Sequence, residues 1–127
     1  MRRMAAVTVL VVDDDPVIVK LLQVNFEMEG YTVLTASDGR EACEKAAAHL
    51  PAAVVMDVMM PRMNGLEACA AMKADPATAA IPVVILSAKA QVADVAGGMA
   101  VADDYVTKPF DPLELLDRVA ALIAKAG

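Results

Sequence analysis

Apolar residues along this chain follow two different spacings. Short runs rich in β-branched residues alternate with longer stretches whose apolar positions recur every three or four residues. The runs are Ala6–Val12 (AVTVLVV), Tyr31–Thr35 (YTVLT), Ala52–Met56 (AAVVM), Ile81–Leu86 (IPVVIL) and Asp104–Thr107 (DYVT). The first is apolar without in-out alternation, which predicts a central strand buried on both faces of a parallel sheet. In the fourth, Pro82 sits near the start, where a missing N–H is tolerated.

The stretches between the runs read as helices. Pro16 opens the first, and Val17, Leu21, Leu22, Val24 and Met28 keep helical spacing up to Gly30, a residue suited to the position just past a helix. Ser37 or Asp38 can cap a second helix that runs to about Leu50, with Pro51 marking its end. Asn64 caps a third from Gly65 to Lys73, and Asp75-Pro76 breaks the chain. A weak helix is expected around Gln91–Ala96. Asp111 caps the last, with Pro112 in its first turn and Leu113, Leu116, Val119, Ala120 and Ile123 on the inner face. Strands alternating with helices predict a single α/β domain over residues 1–127: a doubly wound, five-stranded parallel sheet with helices on both faces.

Composition narrows the function classes. A hydrophobic content of 58% in 127 residues is enough for a real core and excludes a disordered chain. No apolar run approaches the roughly 20 residues of a membrane span, and the basic start Met1-Arg2-Arg3-Met4 leads into a run too short for a secretory signal. A cytoplasmic protein is expected. The net charge of −6 argues against non-specific nucleic-acid binding. Cys43 and Cys69 fall in separate predicted helices without metal-binding spacing and read as reduced thiols. His49, the only histidine, sits near a helix end and reads as a structural or exposed residue rather than a phosphohistidine.

The chemistry concentrates where strands run out. Asp13, Asp14 and Asp15 follow the first run, Asp57 the third, and Lys108 the fifth. Strand ends on one edge of a parallel sheet gather side chains that are distant in sequence. Clustered carboxylates repel, and a hard divalent cation such as Mg2+ removes that cost with oxygen ligands. The Asp13–Asp15 run alone also suits a helix N-terminus; Asp57 at the same edge favours a metal pocket. Asp57 can serve as a ligand only, or also as a nucleophile toward phosphorus. A transferred phosphoryl group needs partners for its oxygens, which Lys108 and Ser87 can supply. Ser87 reads equally as an ordinary turn or cap residue, and Tyr105 as a half-buried edge tyrosine. A cis bond at Lys108-Pro109, a minority outcome from sequence alone, would turn the lysine inward.

The segments VLVVDDDP, VVMDVMMPRMNG, VVILSAKA and DDYVTKPF together resemble, in order and over nearly the whole chain, the receiver domain of two-component response regulators, similar to the single-domain chemotaxis type. The resemblance implies a flavodoxin-like (βα)5 fold with strand order 2-1-3-4-5. It implies Asp57 as phosphoacceptor, and Asp13, Asp14, Asp57 and the backbone carbonyl of Met59 as ligands of Mg2+, with Asp14 the more direct of the acidic pair and Mn2+ as a substitute. Lys108 and Ser87 would bind the phosphoryl oxygens, and Ser87 and Tyr105 would form the switch pair. The implied phosphodonor is a histidine kinase or a histidine phosphotransfer protein. The output would be a protein target, reached through the face of the fourth helix, fifth strand and fifth helix. Neither a membrane nor nucleic acid is an expected direct partner, and the state is a monomer or a phosphorylation-dependent dimer. Such a domain is not a conventional enzyme, although it catalyses its own phosphorylation and dephosphorylation.

Two other classes compete: a receiver-like interaction module that takes no phosphate, and a metal-dependent phosphatase with an aspartyl nucleophile. The first usually lacks an acid, the lysine or the hydroxyl residue, all present here; the second would want a general acid beside Asp57 and a substrate lid. The clearest departure from the family pattern is the interval from Ser87 to Tyr105, one residue short, with Gly97-Gly98 in it and Val101 where glycine is common. Glycines weaken a helix interior, so the fourth helix is expected to be short, with phosphorylation ordering Gln91–Asp103. Met59 and Lys89 are expected to flank the path of attacking water. No output domain follows the last helix in this sequence, so a stand-alone regulator and a domain of a longer protein both remain open.

Overall fold

The computed structural model describes residues 7–60, 62–88 and 102–126. Five strands, β1 (Thr8–Val12), β2 (Thr32–Ala36), β3 (Ala53–Asp57), β4 (Val83–Ala88) and β5 (Asp104–Lys108), form one sheet. Every pairing is parallel and the order is β2-β1-β3-β4-β5. Among the described residues four helices pack on it: α1 (Pro16–Met28), α2 (Gly39–His49), α3 (Gly65–Ala74) and α4 (Pro112–Ala126). No described helix is long and apolar enough to cross a membrane. The weak helix expected at Gln91–Ala96, together with Lys89, Gly97, Gly98 and Val101, lies outside the described residues.

The period-two geometry of strands splits the core in two. Leu10, Val12, Val54, Met56 and Ile85 face α2 and α3, where they meet Ala42, Ala46, Ala68, Cys69 and Met72. Val9, Val11, Val55, Val84 and Leu86 face α1 and α4, where they meet Leu22, Phe26, Leu115 and Val119. Both faces being covered is the reason the central strands read as unbroken apolar runs. Burying each large side chain, such as Phe26, contributes roughly 1.5–3 kcal/mol. Cys43 and Cys69 are free thiols, and burial pushes Cys69 up to about 11, so it stays protonated at neutral pH.

Side-chain caps end the helices where the sequence places them. Asp15 accepts from the Val17 N–H at 2.9 Å, Asp38 from the Glu41 N–H at 2.9 Å, and Asn64 and Glu67 form a reciprocal capping box. Gly30 takes φ +96° just past α1.

On one helix the structure settles which apolar residues are buried, and on another it corrects the expected inner face. On α1 the buried residues are Leu22 and Phe26, while Val17, Leu21, Val24 and Met28 form a solvent-facing stripe. Apolar residues lie on both sides of that helix, so spacing alone could not choose between them. On α4, Leu115, Leu116 and Val119 are buried while Leu113 is 63% exposed and Ala120 is exposed. Strand β4 begins two residues later than its apolar run, after Pro82, and ends two residues later, at Ala88, so it contains Ser87.

Candidate phosphoryl and metal pocket at the sheet edge

Register brings the acids together. Val12 of β1 pairs with Met56 of β3, so Asp13 and Asp57 each stand one step further along adjacent strands. Both are buried, with exposures of 3% and 6%, and Asp14 beside them is exposed. Carboxylate oxygens of Asp13, Asp14 and Asp57 all lie within 4.8 Å of one another. Asp13 Oδ1 accepts the Asp15 N–H at 2.9 Å, whereas its buried Oδ2 has no hydrogen-bond partner among the described residues. Asp57 Oδ2 accepts the Met59 N–H at 3.0 Å.

Lys108 ends β5, with β4 between it and β3. Its ammonium nevertheless reaches Asp57 Oδ1 at 2.5 Å and approaches Asp13 Oδ2 at 3.7 Å. The Lys108–Pro109 bond is cis. Burial pulls the lysine pKa down, but the hydrogen bond to Asp57 and the charges of Asp13 and Asp57 outweigh it, and the net shift is upward. The ammonium is therefore retained. Asp13 moves the other way for an acid. Burial, reinforced by the Asp57 charge, pushes it up to about 6 against the opposing Asp15 hydrogen bond and Lys108 charge.

One lysine against three carboxylates leaves a surplus of negative charge when all are ionised. An orphaned buried oxygen on Asp13, directed into such a cluster, fits a divalent cation held by oxygen ligands. Asp13, Asp14 and Asp57 are the side chains that could hold it.

Ser87 is buried one position beyond Leu86, the residue paired with Asp57. Its hydroxyl donates to the Ala88 carbonyl at 3.1 Å. Tyr105 sits further down β5 opposite Ile85, and its phenolic oxygen accepts from the Ala102 N–H at 3.4 Å. The fold thus gathers Asp13, Asp14, Asp57 and Lys108 into direct contact range and sets Ser87 on the strand next to Asp57. The Met59 side chain is 63% exposed at the rim.

Gly65 is a site residue that the sequence marks only as a helix start. A Cβ there would stand 2.1 Å from the Asp57 carbonyl oxygen. The Gly65 N–H also donates to the Val58 carbonyl at 2.9 Å, closing the base of the β3–α3 loop. Asn-Gly after a proline reads as a turn; the close approach to β3 is a tertiary fact with no local signal.

The response regulator receiver domain model matches residues 9–120. A curated relative, the alkaline phosphatase synthesis transcriptional regulatory protein PhoP of Bacillus subtilis, is 44% identical over 93% of this chain and 49% of its own length. The chain thus spans about half the length of that relative. Among solved structures, the receiver domain of the Francisella response regulator 1452 matches with TM-score 0.86 and 33% identity, covering 94% of this chain and 98% of that one. The receiver domain of sensor histidine kinase PA1611 from Pseudomonas aeruginosa PAO1, which has a magnesium ion in its active-site cleft, matches with TM-score 0.83 and 28% identity, covering 94% and 99%. With the pocket above and a family match over most of its length, this chain belongs to the response regulator receiver domain family of two-component signalling.

Proposed function

We propose that Asp57 is the phosphoacceptor of this receiver, and that the chain acts as a signalling switch rather than a conventional enzyme. The observation that supports this most is the contact of buried Asp57 with Lys108, beside an Asp13 oxygen that has no hydrogen-bond partner among the described residues. One Asp57 carboxylate oxygen attacks the phosphorus of a phosphohistidine on a histidine kinase or phosphotransfer protein. The P–N bond breaks, and the imidazole leaves with the bond pair and takes a proton. Lys108 shifts from the carboxylate to the phosphoryl oxygens, joined by Ser87, while Tyr105 turns inward behind it. Water attack on phosphorus later returns the Asp57 carboxylate and inorganic phosphate. Asp13, Asp14, Asp57 and the Met59 carbonyl would hold Mg2+, or Mn2+ in its place. Such a cation, when bound, neutralises charge between carboxylates and phosphoryl oxygens.

The exposed stripe Val17, Leu21, Val24 and Met28 runs along α1, which starts directly after Asp13–Asp15, and offers a phosphodonor protein an apolar contact. The output is a change on the β5–α4 face, read by a protein target or by a second copy of the domain. The net charge of −6 supports a protein rather than nucleic acid as direct partner, and a cytoplasmic setting fits a kinase donor.

Label transfer from acetyl phosphate with Mg2+ separates this reading from its rivals. A transient adduct on wild type and none on Asp57→Asn supports the switch. No adduct at all would leave an interaction module, and turnover of external phosphomonoesters a phosphatase.

Met59 makes a second expectation. A thioether cannot orient attacking water as an amide can, so Met59→Asn is expected to shorten the phosphoryl lifetime. A decay assay giving an equal or longer lifetime contradicts this.

A further inference from the structure

Asp38 and Arg62 form an ion pair between the start of α2 and the β3–α3 loop, outside the pocket itself. Asp38 has its side chain 2% exposed, although the Arg62 side chain is 68% exposed. Capping α2 through the Glu41 N–H uses one oxygen, Oδ1, and accounts for Asp38 as a helix cap. The other oxygen takes the Arg62 guanidinium, which the cap does not need.

Three further features converge on this loop. Arg62 holds φ +66°, a left-handed conformation that costs a non-glycine residue on the order of 1 kcal/mol. Beside the ion pair, the Gly39 N–H donates to the Met63 carbonyl at 3.0 Å. A Cβ on Gly39 would stand 2.4 Å from that same oxygen, so α2 and the loop meet at backbone contact distance. The loop is therefore pinned at its base by Gly65 to Val58 and at its far side by Asp38 and Gly39. Met59 lies between these points and donates its N–H to Asp57.

We infer that Asp38 and Arg62 are positioning residues: their ion pair clamps the β3–α3 loop onto α2 and so fixes Met59 against Asp57. This rests on the reading of Asp57 and its metal pocket. The clamp adds no group to the pocket. It holds the one backbone segment that would contribute both a carbonyl ligand and the N–H on Asp57 Oδ2.

The substitutions separate cap, strain and clamp. Asp38→Asn keeps a good helix cap but removes the charge. Arg62→Gly removes the guanidinium and relieves the backbone. Arg62→Lys keeps a positive charge. Isothermal titration with Mg2+ on the whole chain is expected to show roughly tenfold weaker binding for Asp38→Asn and for Arg62→Gly. The double variant should be no weaker than either single one, and Arg62→Lys should recover most of the affinity. Amide exchange at Met59 in metal-free protein should accelerate in both single variants, whereas exchange in β1 and β3 stays unchanged. Losses below threefold in both single variants, or losses that add in the double one, overturn the clamp. Should wild type bind no Mg2+, the pocket reading fails, and Met59 exchange alone decides the clamp: unchanged exchange overturns it.

Discussion

Asp13→Asn is expected to stabilise the metal-free chain at pH 7 by about 2–3 kcal/mol, a melting shift of roughly 10 °C. The cause is the burial that pushes Asp13 up to about 6 from its ordinary 3.8. The folded chain then binds a proton more tightly than the unfolded chain, so stability falls as pH rises between those values. Below about pH 4 both states carry the neutral acid and the variant gains nothing. From pH 4 to 6 the difference grows, and above 6 it is constant. Asparagine keeps the oxygen that accepts the Asp15 N–H at 2.9 Å and removes the charge. Added Mg2+ should reverse the order: wild type rises in melting temperature and the variant does not. Thermal melts at pH 4, 5, 6 and 7, in chelator and then in Mg2+, check both halves. A variant no more stable than wild type at pH 7 in chelator would show that the buried carboxylate is not a cost to the fold.

Gly65→Ala is expected to act in the opposite direction and to lose function with it. The new methyl group would meet the carbonyl oxygen of Asp57 at 2.1 Å, its carbonyl carbon at 2.9 Å and the Val58 Cα at 3.2 Å. All three atoms are backbone, so relief requires β3 or α3 to move. Overpacking of this kind costs about 1–3 kcal/mol, and here the displaced residue is the proposed phosphoacceptor. Denaturant midpoints should fall, and phosphoryl uptake from acetyl phosphate should drop by more than the unfolded fraction explains. Gly30→Ala is the control. It is strained by φ +96° but meets nothing within 4 Å, so it should lose stability and keep full uptake. Equal uptake by Gly65→Ala and wild type would mean that the close approach does not set the position of Asp57.

Most of the fold was legible because its signals are local. Short, largely apolar runs mark β1 and β3, and Asp38, Asn64 and Gly30 stand at the helix ends that the sequence predicts. The acids and Lys108 could be grouped because parallel sheets collect strand ends, and the register of β1 against β3 places Asp13 beside Asp57. Where two apolar stripes share one helix, spacing does not say which is buried: α1 buries Leu22 and Phe26 and exposes Val17 and Met28. Contacts between loops and neighbouring elements were not legible at all. Neither the approach of Gly65 to Asp57 nor the Asp38–Arg62 ion pair leaves a pattern in spacing, since each joins residues that only the folded sheet brings close.

Phosphorylation of Asp57 is the proposal on which the switch rests. The direct measurement is peptide mapping by mass spectrometry after incubation of the chain with acetyl phosphate and Mg2+, with chelator as the control. The expected result is a single phosphoryl adduct on Asp57, absent in chelator, absent in Asp57→Asn, and lost with time to inorganic phosphate. A stable adduct on another residue, or unchanged labelling of Asp57→Asn, would contradict it.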